Sequence, residues 1–118
     1  MSTYDEIVAR TDIPAVMINS LAEFEVVNEI FTETYGWTRD DLLGRRVATI
    51  IPEHMRNAHV IGFARFMATE EPRILGKPLP LPVLCKNGDI IDATHIIVGK
   101  KIAGQWHFAA TIEPREAA

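Results

Sequence analysis

Residues 77–98, KPLPLPVLCKNGDIIDATHIIV, decide how this chain folds. Pro78, Pro80 and Pro82 alternate with Leu79, Leu81 and Val83. Successive N–H groups of a strand point to opposite edges, so the three missing donors share one edge and the other edge keeps a complete ladder. The segment 74–85 therefore reads as an edge strand with a blocked outer rim. Lys86, Asn87 and Gly88 turn the chain back into a second strand, Ile90 to Val98. The turn sets the register. A two-residue Asn87-Gly88 turn puts Lys86 opposite Asp89 and His95 on the face of Pro80, Pro82 and Leu84. A three-residue loop with Gly88 as a bulge puts Cys85 opposite Asp89, and one face then carries Leu79, Leu81, Val83, Ile91, Ala93, His95 and Ile97. The second register is favoured because it separates Asp92 and Thr94 from nearly all of the apolar set.

Upstream, residues 52–69, PEHMRNAHVIGFARFMAT, form the one long helix. His59, Gly62, Phe63, Phe66 and Met67 fall at the spacing of a single helical face. Pro52 and Glu53 suit its first turn, and Thr69 to Pro72 end it. A histidine at the head of an apolar stripe is either a ligand or a core residue satisfied by a carbonyl or carboxylate, and the stripe alone leaves both open.

Further out, Tyr4 to Thr11 make a short helix, a domain cap or dimer contact, and Ala15 to Asn19 and Phe24 to Val27 read as two strands that pair antiparallel. Asn28 caps a helix over Glu29 to Tyr35 that Gly36 ends, and Thr38 with Asp41 caps another that Gly44 ends. Beyond the hairpin, Gly99 to Gly104 read as a polar exposed turn. Gln105 to Ile112 form the last strand, with Trp106, Phe108, Ala110 and Ile112 on the apolar face and His107 on the other. Antiparallel strands with helices on one face make an α+β domain.

Composition narrows the function. With 118 residues and 47% apolar content the chain is one domain able to bury its own core. Its net charge of −4 and scattered Lys and Arg argue against nucleic acid. No apolar run approaches the roughly 18 residues of a membrane span, and the polar, acidic start is unlike a signal peptide, so a cytoplasmic home is expected. The lone cysteine, Cys85, excludes an internal disulfide and a thiolate metal cluster, and reads as a small packed residue. Trp37 reads as a core residue, His54 as exposed, and Glu70 and Glu71 as a solvated helix end. No hydrolase elbow, phosphate loop or metalloprotease motif is present, so no enzyme activity is expected.

The run NEIFTETYGWTRDDLLGRRVATIIPE, the helix RNAHVIGFARF followed by ILGKP, and the hairpin KNGDIID together resemble a PAS sensor domain, from about Asp12 to Glu113. The resemblance implies a five-stranded antiparallel sheet in spatial order 2-1-5-4-3, short helices and one longer helix on one face, and a ligand cavity between that helix and the sheet. On this reading residues 1–11 are an N-terminal cap, 12–113 the domain and 114–118 a linker or tail. The Asn-Cys-Arg motif of the light-sensing flavin branch is absent. Around RNAHVIGF the chain is similar to the haem-binding oxygen-sensor branch, whose proximal histidine corresponds to His59. That implies b-type haem with His59 as metal ligand, walled by Met55, Phe63, Phe66, Met67, Leu75, Leu79, Leu81 and Ile97, with His95 on the distal side. Two departures stand against the pattern: Leu79 replaces the arginine that holds oxygen, and Lys77 replaces a methionine used as sixth ligand in a second branch. The function expected is signal transduction by a sensor, here gas sensing, in a homodimer with a fused or separate output domain. The alternatives are a cofactor-free domain that dimerises through residues 4–11 and the outer sheet face, and one that binds a small organic metabolite.

Overall fold

A computed structural model describes residues 4–71 and 76–115. The hairpin forms β3, Leu79–Leu84, and β4, Ile90–Ile102, with Val83 opposite Ile91 and Leu84 opposite Ile90. Cys85 N–H donates to the Asp89 carbonyl at 2.7 Å, and Gly88 takes φ 95°. This is the three-residue loop, and His95 accordingly faces inward with Leu79 and Ile112 as its neighbours across the strands. Because Cys85 bonds toward β4, residues 83, 81 and 79 do so too. Pro80 and Pro82 then face the open edge, which has no donors there.

β4 pairs antiparallel with β5, Gln105–Pro114, which pairs with β1, Ala15–Ile18, which pairs with β2, Phe24–Val27. The sheet order is β2-β1-β5-β4-β3, as expected. The expected polar turn over 99–104 is wrong in extent: Gly99 to Ile102 continue β4, and only Ala103 and Gly104, at φ 51° and 81°, turn the chain. Gly and Lys are poor strand formers, which hid this. A Cβ at Gly99 would sit 3.1 Å from the Trp106 ring and 3.3 Å from the Phe108 ring, so either ring would have to give by a few tenths of an ångström to admit one. The rings of β5 lie across the backbone of β4.

Helix α1, Tyr4–Val8, lies on the outer sheet face, burying Tyr4 and Ile7 against Ala15 and Ala109, with Met17 and Val98 alongside. Helix α2, Glu29–Tyr35, starts at Asn28 and stops at left-handed Gly36, and α3, Arg39–Leu42, has the Thr38–Asp41 capping box. Gly44 does not cap α3 as expected. Leu43 is the C-cap, and Gly44, at φ 82°, donates its N–H to the Phe24 carbonyl at 3.1 Å, tying the segment to β2. A 3-10 turn over Val47–Ile50 follows, and a second over Glu53–Met55 precedes α4, Arg56–Thr69, so the α-helix begins three residues later than Glu53.

The core sits under α2 and α3. Val16, Phe24, Val27, Phe31, Tyr35, Leu42, Ile50, Val83, Cys85, Ala93 and Ile112 are buried together there, with Trp37 packed against them. Tyr35 donates its hydroxyl to the Ile112 carbonyl at 2.8 Å, and Trp37 Nε1 donates to Leu84 at 2.8 Å, anchoring both helices to the sheet.

Candidate functional site

Helix α4 packs differently. None of its residues is buried, although its stripe turns toward the sheet as its spacing predicts, apart from Gly62, which is exposed. Val60 and Ile61 on the opposite side are 58% and 60% exposed, so the helix is less cleanly divided than its stripe suggests. Phe63 meets Phe108 edge-on at 5.6 Å between centroids. Phe66 meets Trp106 at 5.1 Å and Phe108 at 5.4 Å, both edge-on, and Trp106 and Phe108 stack at 6.0 Å. This aromatic block closes the helix-to-sheet space toward the C-terminal half of α4. Sequence reasoning placed Trp106 and Phe108 on the inner face but left them out of the wall. Their alternation with polar neighbours, opposite a glycine on β4, was the available signal.

The described members of the expected wall are Met55, Phe63, Phe66, Met67, Leu79, Leu81 and Ile97. All of them, and His59 and His95 with them, are half-buried. On the same sheet face Val83, Ala93, Phe108 and Ile112 are buried. Apolar side chains on α4, β3 and β4 thus stay partly open to solvent, and the ring contacts of α4 run to Phe108 and Trp106 of β5. Leu75 lies outside the described residues. At the N-terminal end of α4 an open groove of about 990 Å³ runs between Pro52, Glu53, His54, Arg56 and Asn57 and the hairpin residues Leu84 and Ile90. It adjoins the expected wall without coinciding with it.

The two inward histidines differ. His95 Nε2 lies 3.2 Å from the Leu81 carbonyl, which fixes that nitrogen as the protonated one. Burial pushes its pKa down, opposed by that hydrogen bond. The His59 ring stacks on Phe63 at 5.9 Å and 23°, and burial likewise holds it below the ordinary histidine value. Among the described residues neither ring nitrogen of His59 has a protein hydrogen-bond partner, and because no buried side-chain nitrogen among them is left unpartnered, its ring nitrogens are open to water. His54 is exposed as expected, and His107 lies on the outer face with Nδ1 2.7 Å from Glu25 Oε1.

Glu70 is exposed at the end of α4, as expected, and its carboxylate also accepts from Trp106 Nε1 at 2.6 Å and pairs with Lys101 Nζ at 2.7 Å. Both contacts hold its pKa below the usual carboxylate value, Lys101 most strongly.

Among the described residues no three His, Cys, Asp or Glu side chains are grouped to hold a metal ion. A lone imidazole such as His59 does not make a site for a bare cation, and would hold a metal only where the other donors come with a macrocycle. The Phe63 and Phe66 rings must yield for a macrocycle to enter. Cys85 is buried, and burial raises its thiol pKa, so it is an inert packed residue.

Comparison with known proteins bears on the fold. No family model matches the chain. A PAS domain from Desulfitobacterium hafniense superposes with TM-score 0.73 over 92% of this chain and 97% of that one, at 19% identity. A PAS domain from a two-component sensor histidine kinase gives 0.71 over 92% and 90%, at 10% identity. The Rhodobacter sphaeroides LOV protein gives 0.66 over 92% and 62%, at 12% identity. The chain has the PAS fold. An uncharacterized protein of Azorhizobium caulinodans is 29% identical over 107 residues, covering 86% of this chain, and this chain spans 14% of that protein's length. No helix among the described residues is long and apolar enough to cross a membrane.

Proposed function

We propose that this domain is a sensory module whose ligand site is the space between α4 and strands β3 to β5, and that the ligand is b-type haem held by His59. The observation that carries the reading is the contrast between the two imidazoles. His95 is anchored to Leu81, whereas His59 is neutral, set among apolar side chains and without a protein partner among the described residues. A lowered pKa keeps protons from competing for the nitrogen that binds iron at neutral pH.

Bound there, haem would supply an iron able to take up a diatomic gas. Leu79, Leu81 and Ile97 would wall its flat face, and the Leu81 bond would hold His95 in one orientation near the distal side. Leu79 offers no hydrogen-bond donor, so the gas preference would rest on His95 and differ from that of sensors carrying arginine at that place. Entry requires Phe63 and Phe66 to shift. Their contacts with Phe108 and Trp106 would pass that shift to β5, which ends at Pro114. The signal would leave by that strand, toward an output domain on the same chain or a separate one, and α1 with the outer sheet face would form the homodimer contact. Binding and signalling, not catalysis, are the role. The structural neighbour from a sensor histidine kinase is in keeping with this.

Hemin added to the purified protein and followed by absorption tests the reading. The expected result is a sharpened, red-shifted Soret band that is lost in His59→Ala. An unchanged spectrum, or a shift that survives His59→Ala, rejects haem and leaves two alternatives. Native mass spectrometry of the protein as isolated separates them: a retained small molecule indicates a metabolite sensor, and the bare mass an interaction module.

A further inference from the structure

Helix α4, with no buried residue, is held by the Phe63 and Phe66 rings and by contacts at its two ends. At the start of α4, Arg56 Nε donates to the Ala48 and Ile51 carbonyls at 3.0 and 2.9 Å. At its end stands Glu70, in the left-handed region at φ 56° and ψ 24°, where glycine is at ease and glutamate is not. Its carboxylate reaches the β4–β5 hairpin, accepting from Trp106 Nε1 and pairing with Lys101 Nζ. Lys101 Nζ also lies over the Trp106 ring, 5.6 Å from its centroid. The same indole backs the Phe66 ring that plugs the helix-to-sheet space. Glu70 thus keeps an unfavourable backbone conformation while its side chain ties the helix end to the sheet.

Building on the ligand site described above, we propose that Glu70, Lys101 and Trp106 form a latch that holds the C-terminal end of α4 on the β4–β5 hairpin, and that opening it lets α4 lift and a ligand pass. Trp106 is the moving part: while its N–H is held by Glu70, its ring keeps Phe66 seated. With the contact broken, the helix end is fastened only by ring packing, and the space beneath Phe63 and Phe66 opens more often. The occupant of the site and the strength of the latch are separate properties, so they are read separately.

Glu70→Gly separates the latch from an ordinary helix cap. Glycine eases the left-handed position, so a residue that only caps would make α4 more protected. A latch residue would make it less so. Amide hydrogen exchange of the full chain, read on peptides from 56–69, is expected to quicken roughly tenfold in Glu70→Gly and in Trp106→Phe, with peptides from β1 and α2 unchanged. Trp106→Phe keeps an aromatic ring on Phe66 and removes only the donor and one ring. Exchange in 56–69 that is unchanged, that slows in Glu70→Gly, or that quickens equally in β1 and α2 overturns the latch. If exchange quickens as expected and hemin still leaves no Soret shift, the latch stands and the haem assignment falls.

Discussion

Asn28 joins three segments through one amide. Its Oδ1 accepts from Phe31 N–H at 2.9 Å and Ala15 N–H at 3.1 Å, and its Nδ2 donates to the Ile13 and Arg10 carbonyls at 2.8 and 3.3 Å. The sequence revealed the N-cap but not the other bonds, because they join residues 13 to 18 positions apart that only the folded chain brings together. Asn28→Ala is expected to cost about 2–3 kcal/mol, seen as a lower urea midpoint with unchanged slope. Asn28→Asp, which keeps the cap and loses the two donations, should cost less. His59 and His95 set a pH dependence. Burial holds both below the ordinary value of 6.5, so below that pH the unfolded chain takes up protons that the folded chain resists. The stability these groups confer is fully present above 6.5 and is lost as the pH falls below it. The wild-type urea midpoint should therefore drop between about pH 7 and 5.5, and the His59→Gln, His95→Gln double variant should drop less. Equal drops would contradict the burial of the two rings.

At the scale of elements, patterns of period two and turn chemistry carried most of the fold. The prolines of β3, the Gly88 loop, the Asn28 and Thr38 caps and the strict alternation of Trp106, Phe108, Ala110 and Ile112 are local signals, and each gave the right element. Beyond the weak strand propensity of Gly and Lys that hid the end of β4, what went unread lies in distant contacts. Gly99, Gly44 and Glu70 take their roles from distant partners, the rings of Trp106 and Phe108, the Phe24 carbonyl, and the Trp106 indole with Lys101, and no local rule contains those partners. The blocked edge has its own consequence. Pro80 and Pro82 face outward on β3, and on the opposite edge Phe24 of β2 is already paired with Arg45 and Gly44. Pro80→Thr with Pro82→Thr restores two outward donors and is expected to make the protein self-associate, read as a concentration-dependent rise in mass by light scattering. A variant that scatters like the wild type at every concentration would show that the prolines do not guard the edge.

Across the whole molecule, packing is uneven. The half under α2 and α3 holds the continuous buried cluster from Val16 to Ile112, with Tyr35 and Trp37 bonded into the sheet. The half under α4 rests on an aromatic block, two end contacts and a set of half-buried apolar side chains. The stripe on α4 and the facing residues of β3 and β4 were legible from the sequence. That they fail to bury one another was not, since periodicity reports which face turns inward and nothing about the width of the space it meets. A rigid half joined to a loosely filled one is the arrangement a ligand can change. The proposal that haem fills that space is tested most directly by blocking the space without touching His59. Hemin binding isotherms of the wild type and Leu81→Trp, each checked for an intact fold by circular dichroism, provide that test. The indole should fill the wall facing α4 and weaken hemin binding at least roughly tenfold, as expected when a ligand loses its cavity. Unchanged affinity in a folded Leu81→Trp protein would place the hemin elsewhere and contradict the account.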